Sequence, residues 1–205
     1  MEYNFEFNIT SFCQAKCASC ARTINIDKFT PSHYPLDAFA KTLENLKGVD
    51  VGIITLCGEY GDPMMHPDIE EFIKLATKNY SVELMTNGGI RNPAFYEHLA
   101  KTYSPRLNIF FGIDGIDEPT NSLYRKGVDF DKAWDNMNTW FANGGKGIWE
   151  FLVFTWNQNQ IETAHQIAKS KNIPIGFKMN RRMGFPGLIA SHESERIIDK
   201  IKTLH

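Results

Sequence analysis

Residues 51–89 read VGIITLCGEYGDPMMHPDIEEFIKLATKNYSVELMTNGG. The stretch opens on VGIITL, a short apolar run rich in β-branched residues, as expected for a strand buried on both faces. CGEYGDPMMHP then turns, and residues 68–77 carry Ile69, Phe72, Ile73 and Ala76 at helical spacing. Residues 82–86 return to a strand that stops at Asn87-Gly88-Gly89. Two buried strands joined by a helix form a βαβ unit, because parallel neighbours need a long crossover connection.

The same alternation extends in both directions. Upstream, Tyr3, Phe5, Phe7 and Ile9 alternate with polar residues, a strand period of two. Leu36, Phe39, Leu43 and Leu46 then predict a helix that stops at Gly48. Downstream, residues 93–102 predict a helix, 107–113 a fourth strand ending in Asp114-Gly115, and 131–143 a helix after a longer connection that carries Arg125. Residues 148–155 and 161–171 form a fifth unit, 174–179 a sixth strand followed by NRRMGFPG, and 193–203 a last helix. Regular βα alternation predicts a parallel sheet with outer helices, either open and doubly wound or closed toward a barrel. The unusual residues fall at five strand ends: the Cys13–Cys20 loop, Gly61-Asp62-Pro63, Thr86-Asn87-Gly88, Asp114-Gly115 and Met179-Asn180-Arg181. Barrels build sites all along that rim, whereas an open sheet gathers ligands at one switch point. The expected fold is therefore α/β, a partial (β/α)6 barrel.

The 205 residues, 42% hydrophobic and 22% charged, predict one core and a single domain over residues 1–205. A formal net charge of -2 gives no electrostatic argument for nucleic acid or an anionic membrane. The N-terminus MEYNFEFNIT lacks a basic region followed by an apolar one, and no window reaches the ~18 apolar residues of a membrane span, so a cytoplasmic protein is expected.

Residues 12–22, FCQAKCASCAR, place Cys13, Cys17 and Cys20 in a C-x3-C-x2-C loop after the first strand. Three of the four cysteines in one loop point to metal ligation rather than a disulfide framework. Structural zinc sites and most iron–sulfur clusters take four protein ligands, so three leave a position open for another ligand. A zinc knuckle completed by His33 or Cys57 competes with that reading. Cys57 otherwise reads as a small buried hydrophobe; Trp134, Trp140 and Phe141 as exterior packing; His98 and His165 as surface or packing residues. Arg181 and Arg182 follow the sixth strand at the open rim and read equally as contacts for an acidic substrate or a peptide and as solvated charges.

The loop resembles the cluster-binding signature of the radical S-adenosylmethionine (SAM) superfamily, in the form C-x3-C-x2-C-x-R with Arg22 as its last residue. The downstream motifs resemble the family's in the same order. Tyr60-Gly61-Asp62-Pro63-Met64-Met65-His66-Pro67 is similar to the family's Gly-Gly-Glu motif, with Tyr60 for Gly and Asp62 for Glu. Thr86-Asn87-Gly88 is similar to its Thr-Asn-Gly, and Ile113-Asp114-Gly115 with Arg125 to its Ser-x-Asp-Gly and Arg, with Gly112 for Ser. The resemblance implies a [4Fe-4S] cluster on Cys13, Cys17 and Cys20, with SAM on the fourth iron. It implies SAM contacts from Ser19, Tyr60, Gly61, Asp62, Thr86, Asn87, Asp114, Arg125, Asn157 and Met179. It further implies reductive cleavage of SAM to a 5′-deoxyadenosyl radical that abstracts hydrogen from a peptide or small-metabolite substrate. Oxygen sensitivity and reduced flavodoxin or ferredoxin as electron donor belong to the same expectation. The form is minimal, without a C-terminal auxiliary-cluster domain. A glycyl-radical activase and a zinc- or cluster-bearing module without turnover are the other readings.

Overall fold

The computed structural model describes residues 1–28, 30–179 and 192–202. Six strands, β1 (Tyr3–Asn8), β2 (Val51–Cys57), β3 (Ser81–Thr86), β4 (Leu107–Gly112), β5 (Lys146–Val153) and β6 (Ile175–Met179), pair in strict sequence order. Every pairing is parallel. Right-handed crossovers that always step the same way place their helices on one side of the sheet. A doubly wound sheet instead reverses its order midway. The sequential order therefore selects the partial barrel, open between β1 and β6.

The main crossover helices are α2 (Leu36–Asn45), α3 (Ile69–Thr77), α4 (Pro93–Tyr103), α6 (Phe130–Ala142) and α7 (Ile161–Ser170), with α8 (His192–Lys202) after β6. Their packing identifies the outer face of the sheet. Phe7 of β1 meets Phe39 of α2, Phe111 of β4 meets Tyr96 of α4, and Trp149 of β5 meets Trp134 of α6. Phe39, Tyr96, Phe111 and Trp149 are fully buried. Each such side chain contributes about 2–3 kcal/mol of burial energy, which is why the apolar residues of the alternating strands face the helices. The opposite face is mixed: in register, Glu6 lies opposite Thr55, Thr55 opposite Glu83, and Glu83 opposite Asn108, while Met85, Phe110 and Ile148 form an apolar row beside them. Lys178 of β6 pairs with Glu150 of β5 on this face. The concave side thus carries polar and apolar residues side by side.

Two short helices depart from expectation. α1 (Ala21–Ile24) follows the cysteine loop directly, and α5 (Glu118–Tyr124) occupies part of the long connection before Arg125. The signal for α5 was present in Asp117-Glu118-Pro119: the Asp117 carboxylate accepts from Thr120 N at 2.8 Å, and proline suits the first turn. Gly48 adopts φ 86° just past α2, as a left-handed stop requires. Among the described residues no helix is long and apolar enough to cross a membrane. Asn180, Arg181, Arg182 and the NRRMGFPG stretch lie outside the described residues, as does Thr203.

Candidate active site

The cysteine loop lies over the mouth of the barrel, anchored to several strand ends. Phe12 O accepts from Asp62 N at 2.8 Å, and Lys126 O accepts from Lys16 N at 2.7 Å. Ser19 Oγ and the Tyr124 hydroxyl are 3.0 Å apart, which ties the loop to α5. Arg22 Nε donates back to Ser11 O at 3.1 Å and closes the loop on itself. Backbone pinned at this many points cannot drift, so the three sulfurs are positioned by the fold.

Cys17 is buried, Cys13 and Cys20 are half-buried, and all three are free thiols. Burial, followed by the charge of Asp62, pushes the Cys13 thiol up to about 12. Burial raises Cys17 as well, while the nearby Arg125 guanidinium, which also hydrogen-bonds it, works in the opposite direction. Such thiols stay protonated at neutral pH until a metal displaces the proton.

Cys17, Ser19, Cys20, Tyr124 and Arg125 open on a cavity of about 670 Å3, together with Glu6, Cys57, Gly58, Glu59 and Leu152. A second groove of about 720 Å3 runs past Asn8, Thr10, Ser11, Asn25, His33 and Tyr60 on the β1 side. Arg125 is held in place by Asp114, whose buried carboxylate takes Nε at 2.6 Å. Burial disfavours the guanidinium charge, but Asp114 and Cys17 outweigh it and keep its pKa above the ordinary value. A β-carbon at Gly112 would stand 2.6 Å from Arg125 Nη2. The glycine at the position where the family has serine leaves that space to the guanidinium.

Other residues expected to touch a ligand are instead occupied within the protein. Asp62, 3% exposed, accepts from Thr86 Oγ1 with both carboxylate oxygens at 3.0 Å, from Asn87 N at 2.8 Å and from Met64 N at 3.0 Å. Burial pushes its pKa up, against the donors from Asn87, Met64 and Thr86. Thr86 also accepts from Gly88 N. Asn157 accepts from Phe154 N at 2.7 Å and donates to Asp114 O and Leu152 O, bracing the ends of β4 and β5. Asp114 accepts from Leu152 N across the same junction. Met179 lies opposite Val153 in register, on the face that carries Phe151 and Phe177. It is not brought to the cavity side. Tyr60 is exposed and lines the second groove.

Gly61 has a tighter requirement. A β-carbon there would sit 2.2 Å from Thr10 O and 2.8 Å from Phe12 O, both backbone atoms of the cysteine loop. Gly61→Ala is expected to cost about 2–3 kcal/mol and to lower the iron bound per chain after anaerobic reconstitution. Urea denaturation and iron analysis measure the two effects.

The sequence reading missed Glu6, Glu59 and Tyr124 on the cavity wall. Cys57 is half-buried and lines the cavity rather than the core. Burial and the neighbouring Glu6 push its thiol up to about 11. The period-two pattern of β1 already separates Glu6 and Asn8 from the apolar face. His33 stacks on Phe12 and bonds Thr10 Oγ1 at 2.9 Å, and His98 pairs with Glu70 on the surface.

The structure is thus a parallel partial barrel with three thiols and a half-buried arginine at its C-terminal rim. Residues 7–167 match the model of the Radical SAM superfamily, and the chain belongs to that superfamily. The superfamily implies SAM and an iron–sulfur cluster. Among solved structures it is similar to Streptococcus suis SuiB bound to S-adenosylmethionine, with TM-score 0.78 and 15% identity over 98% of this chain and 46% of that one. SuiB bound to its precursor peptide SuiA is similarly close, with TM-score 0.77 and 16% identity over 98% of this chain and 45% of that one. Native anSMEcpe with bound AdoMet gives 0.76 and 14%, over 100% of this chain and 60% of that one. Methylornithine synthase PylB gives 0.63 and 17%, over 98% and 62% respectively. At these identities the likeness is one of fold, and the chain spans about half the length of the first of these structures. No curated protein matches it.

Proposed function

We propose that Cys13, Cys17 and Cys20 hold a [4Fe-4S] cluster, that SAM occupies the adjoining cavity, and that the substrate is a small metabolite or a peptide. The observation that carries this reading is the single cavity lined by Cys17, Cys20 and Arg125 at the barrel mouth. A lone zinc ion needs its thiolates to converge on one point. Among the described residues no group of three His, Cys, Asp or Glu side chains is arranged to hold a metal ion, and the preference for a cluster rests on superfamily membership. A reduced cluster held by Cys13, Cys17 and Cys20 would supply the electron for reductive cleavage of SAM.

The chain's own residues bind and orient. Arg125 is the basic side chain on the cavity wall, and Glu6 and Glu59 are the acidic ones. They complement the carboxylate and ammonium of one amino-acid head group. Ser19, fixed on Tyr124, lines the same wall. Gly61, Asp62, Thr86, Asn87, Asp114 and Asn157 serve the site by locking the loops that carry it, and Tyr60 and Met179 stand further out. The hollow below, where Glu6, Thr55, Glu83 and Asn108 share the face with Met85, Phe110 and Ile148, offers a substrate both hydrogen-bonding groups and apolar contacts. A reduced flavodoxin or ferredoxin would supply the electron.

Anaerobic reconstitution with iron and sulfide tests the reading. A brown protein whose reduced electron paramagnetic resonance spectrum changes on adding SAM is the expected result; a colourless zinc protein would overturn it.

A further inference from the structure

Asn87 is 5% exposed, and its side chain points into the cysteine loop. Its Nδ2 lies 3.7 Å from Cys13 Sγ and 3.3 Å from Gln14 Oε1, while its Oδ1 accepts from Gln14 Nε2 at 2.7 Å and from Gly89 N at 2.9 Å. The orientation of the amide follows from these partners. The backbone N–H of Gly89 needs an acceptor, so the oxygen faces Gly89 and the nitrogen is left toward the sulfur. Two amides, 73 positions apart in sequence, close a cyclic pair beside Cys13. The mounting is rigid, because Asn87 N is itself held by the Asp62 carboxylate at 2.8 Å. A β-carbon at Gly89 would meet Gln14 Nε2 at 2.9 Å, so that position is kept clear for the pair.

We infer that Asn87, clamped by Gln14, donates an N–H···S hydrogen bond to the Cys13 thiolate and thereby raises the reduction potential of the cluster. The inference rests on the cluster reading above. Reduction adds negative charge that spreads onto the ligating sulfurs, so a donor at sulfur stabilises the reduced form more than the oxidised one. Asn87 is on this account a positioning residue: it touches the cluster's ligand and moderates the driving force for electron transfer.

The test is a potentiometric titration of the anaerobically reconstituted full chain without SAM, followed by electron paramagnetic resonance, with iron per chain measured alongside. In Asn87→Leu the equilibrium constant for reduction is expected to fall about tenfold, a shift of ~59 mV to lower potential for a one-electron couple. Gln14 Oε1 also stands 3.7 Å from Cys13 Sγ, so the second variant is the isosteric Asn87→Asp, which puts an acceptor where the donor stood and is expected to shift the potential in the same direction. An unchanged potential in iron-loaded Asn87→Leu overturns the inference; if that variant fails to load, an unchanged or higher potential in Asn87→Asp overturns it. A wild-type chain that assembles no cluster would sink the cluster reading itself, whereas equal potentials in loaded wild type and variant would sink only the role of Asn87.

Discussion

Arg125→Leu is expected to destabilise the fold by about 3–5 kcal/mol, because it strips a buried carboxylate of its counter-charge. Asp114 has no exposed surface, and its two oxygens are assigned to Arg125 Nε at 2.6 Å and Leu152 N at 2.8 Å. Leucine fills part of the guanidinium's volume but leaves one oxygen of a desolvated anion without a donor. That cost exceeds any gain in apolar packing. The damage should spread, since Asp114 O also anchors Asn157, which holds the turn after β5. Arg125→Lys is expected to recover part of the loss: it restores the charge without the planar fork that fits between Asp114 and Cys17. Urea denaturation of the metal-free chain reads both effects, and a change below about 1 kcal/mol for Arg125→Leu would show that Asp114 is satisfied in another way.

Cys17→Ser is expected to lose the cluster and with it SAM cleavage. The hydroxyl is a poor iron ligand and has no thiolate to offer, and the site holds no spare sulfur in the same loop. Cys57→Ser is the informative partner experiment. Cys57 shares the cavity wall but stands at the end of β2, so iron content is expected to survive its loss. Equal losses in the two variants would point to a four-thiolate site and away from an open iron. Iron and sulfide analysis after anaerobic reconstitution distinguishes these outcomes.

The alternation of apolar strands and amphipathic helices was enough to read a βα architecture, and placing special residues at five strand ends was enough to favour a barrel. The direction of curvature was not legible. Glu6, Glu83 and Asn108 look like solvent-facing positions in a one-dimensional pattern, and only the pairing of six strands in order shows that they line a hollow. The cysteine loop was legible because its ligands are close in sequence. Side chains such as Asp62, Thr86, Asn87 and Asn157 were legible as special but not in their contacts. Their partners lie far along the chain, as with Gln14 and Asn87, and a polar residue at a loop end reads alike whether it faces a ligand or holds a neighbouring loop. Gly61 shows the same limit: a glycine at a strand end stands out in the sequence, but the atoms it must approach, Thr10 O and Phe12 O of the cysteine loop, do not.

The most direct test of the central claim is the formation of 5′-deoxyadenosine from SAM by the reconstituted, dithionite-reduced chain under strict exclusion of oxygen. The account predicts 5′-deoxyadenosine and methionine in the wild type and background levels in Cys13→Ser, Cys17→Ser and Cys20→Ser. A wild-type chain that carries a full cluster and binds SAM but yields no more 5′-deoxyadenosine than the three variants would contradict it.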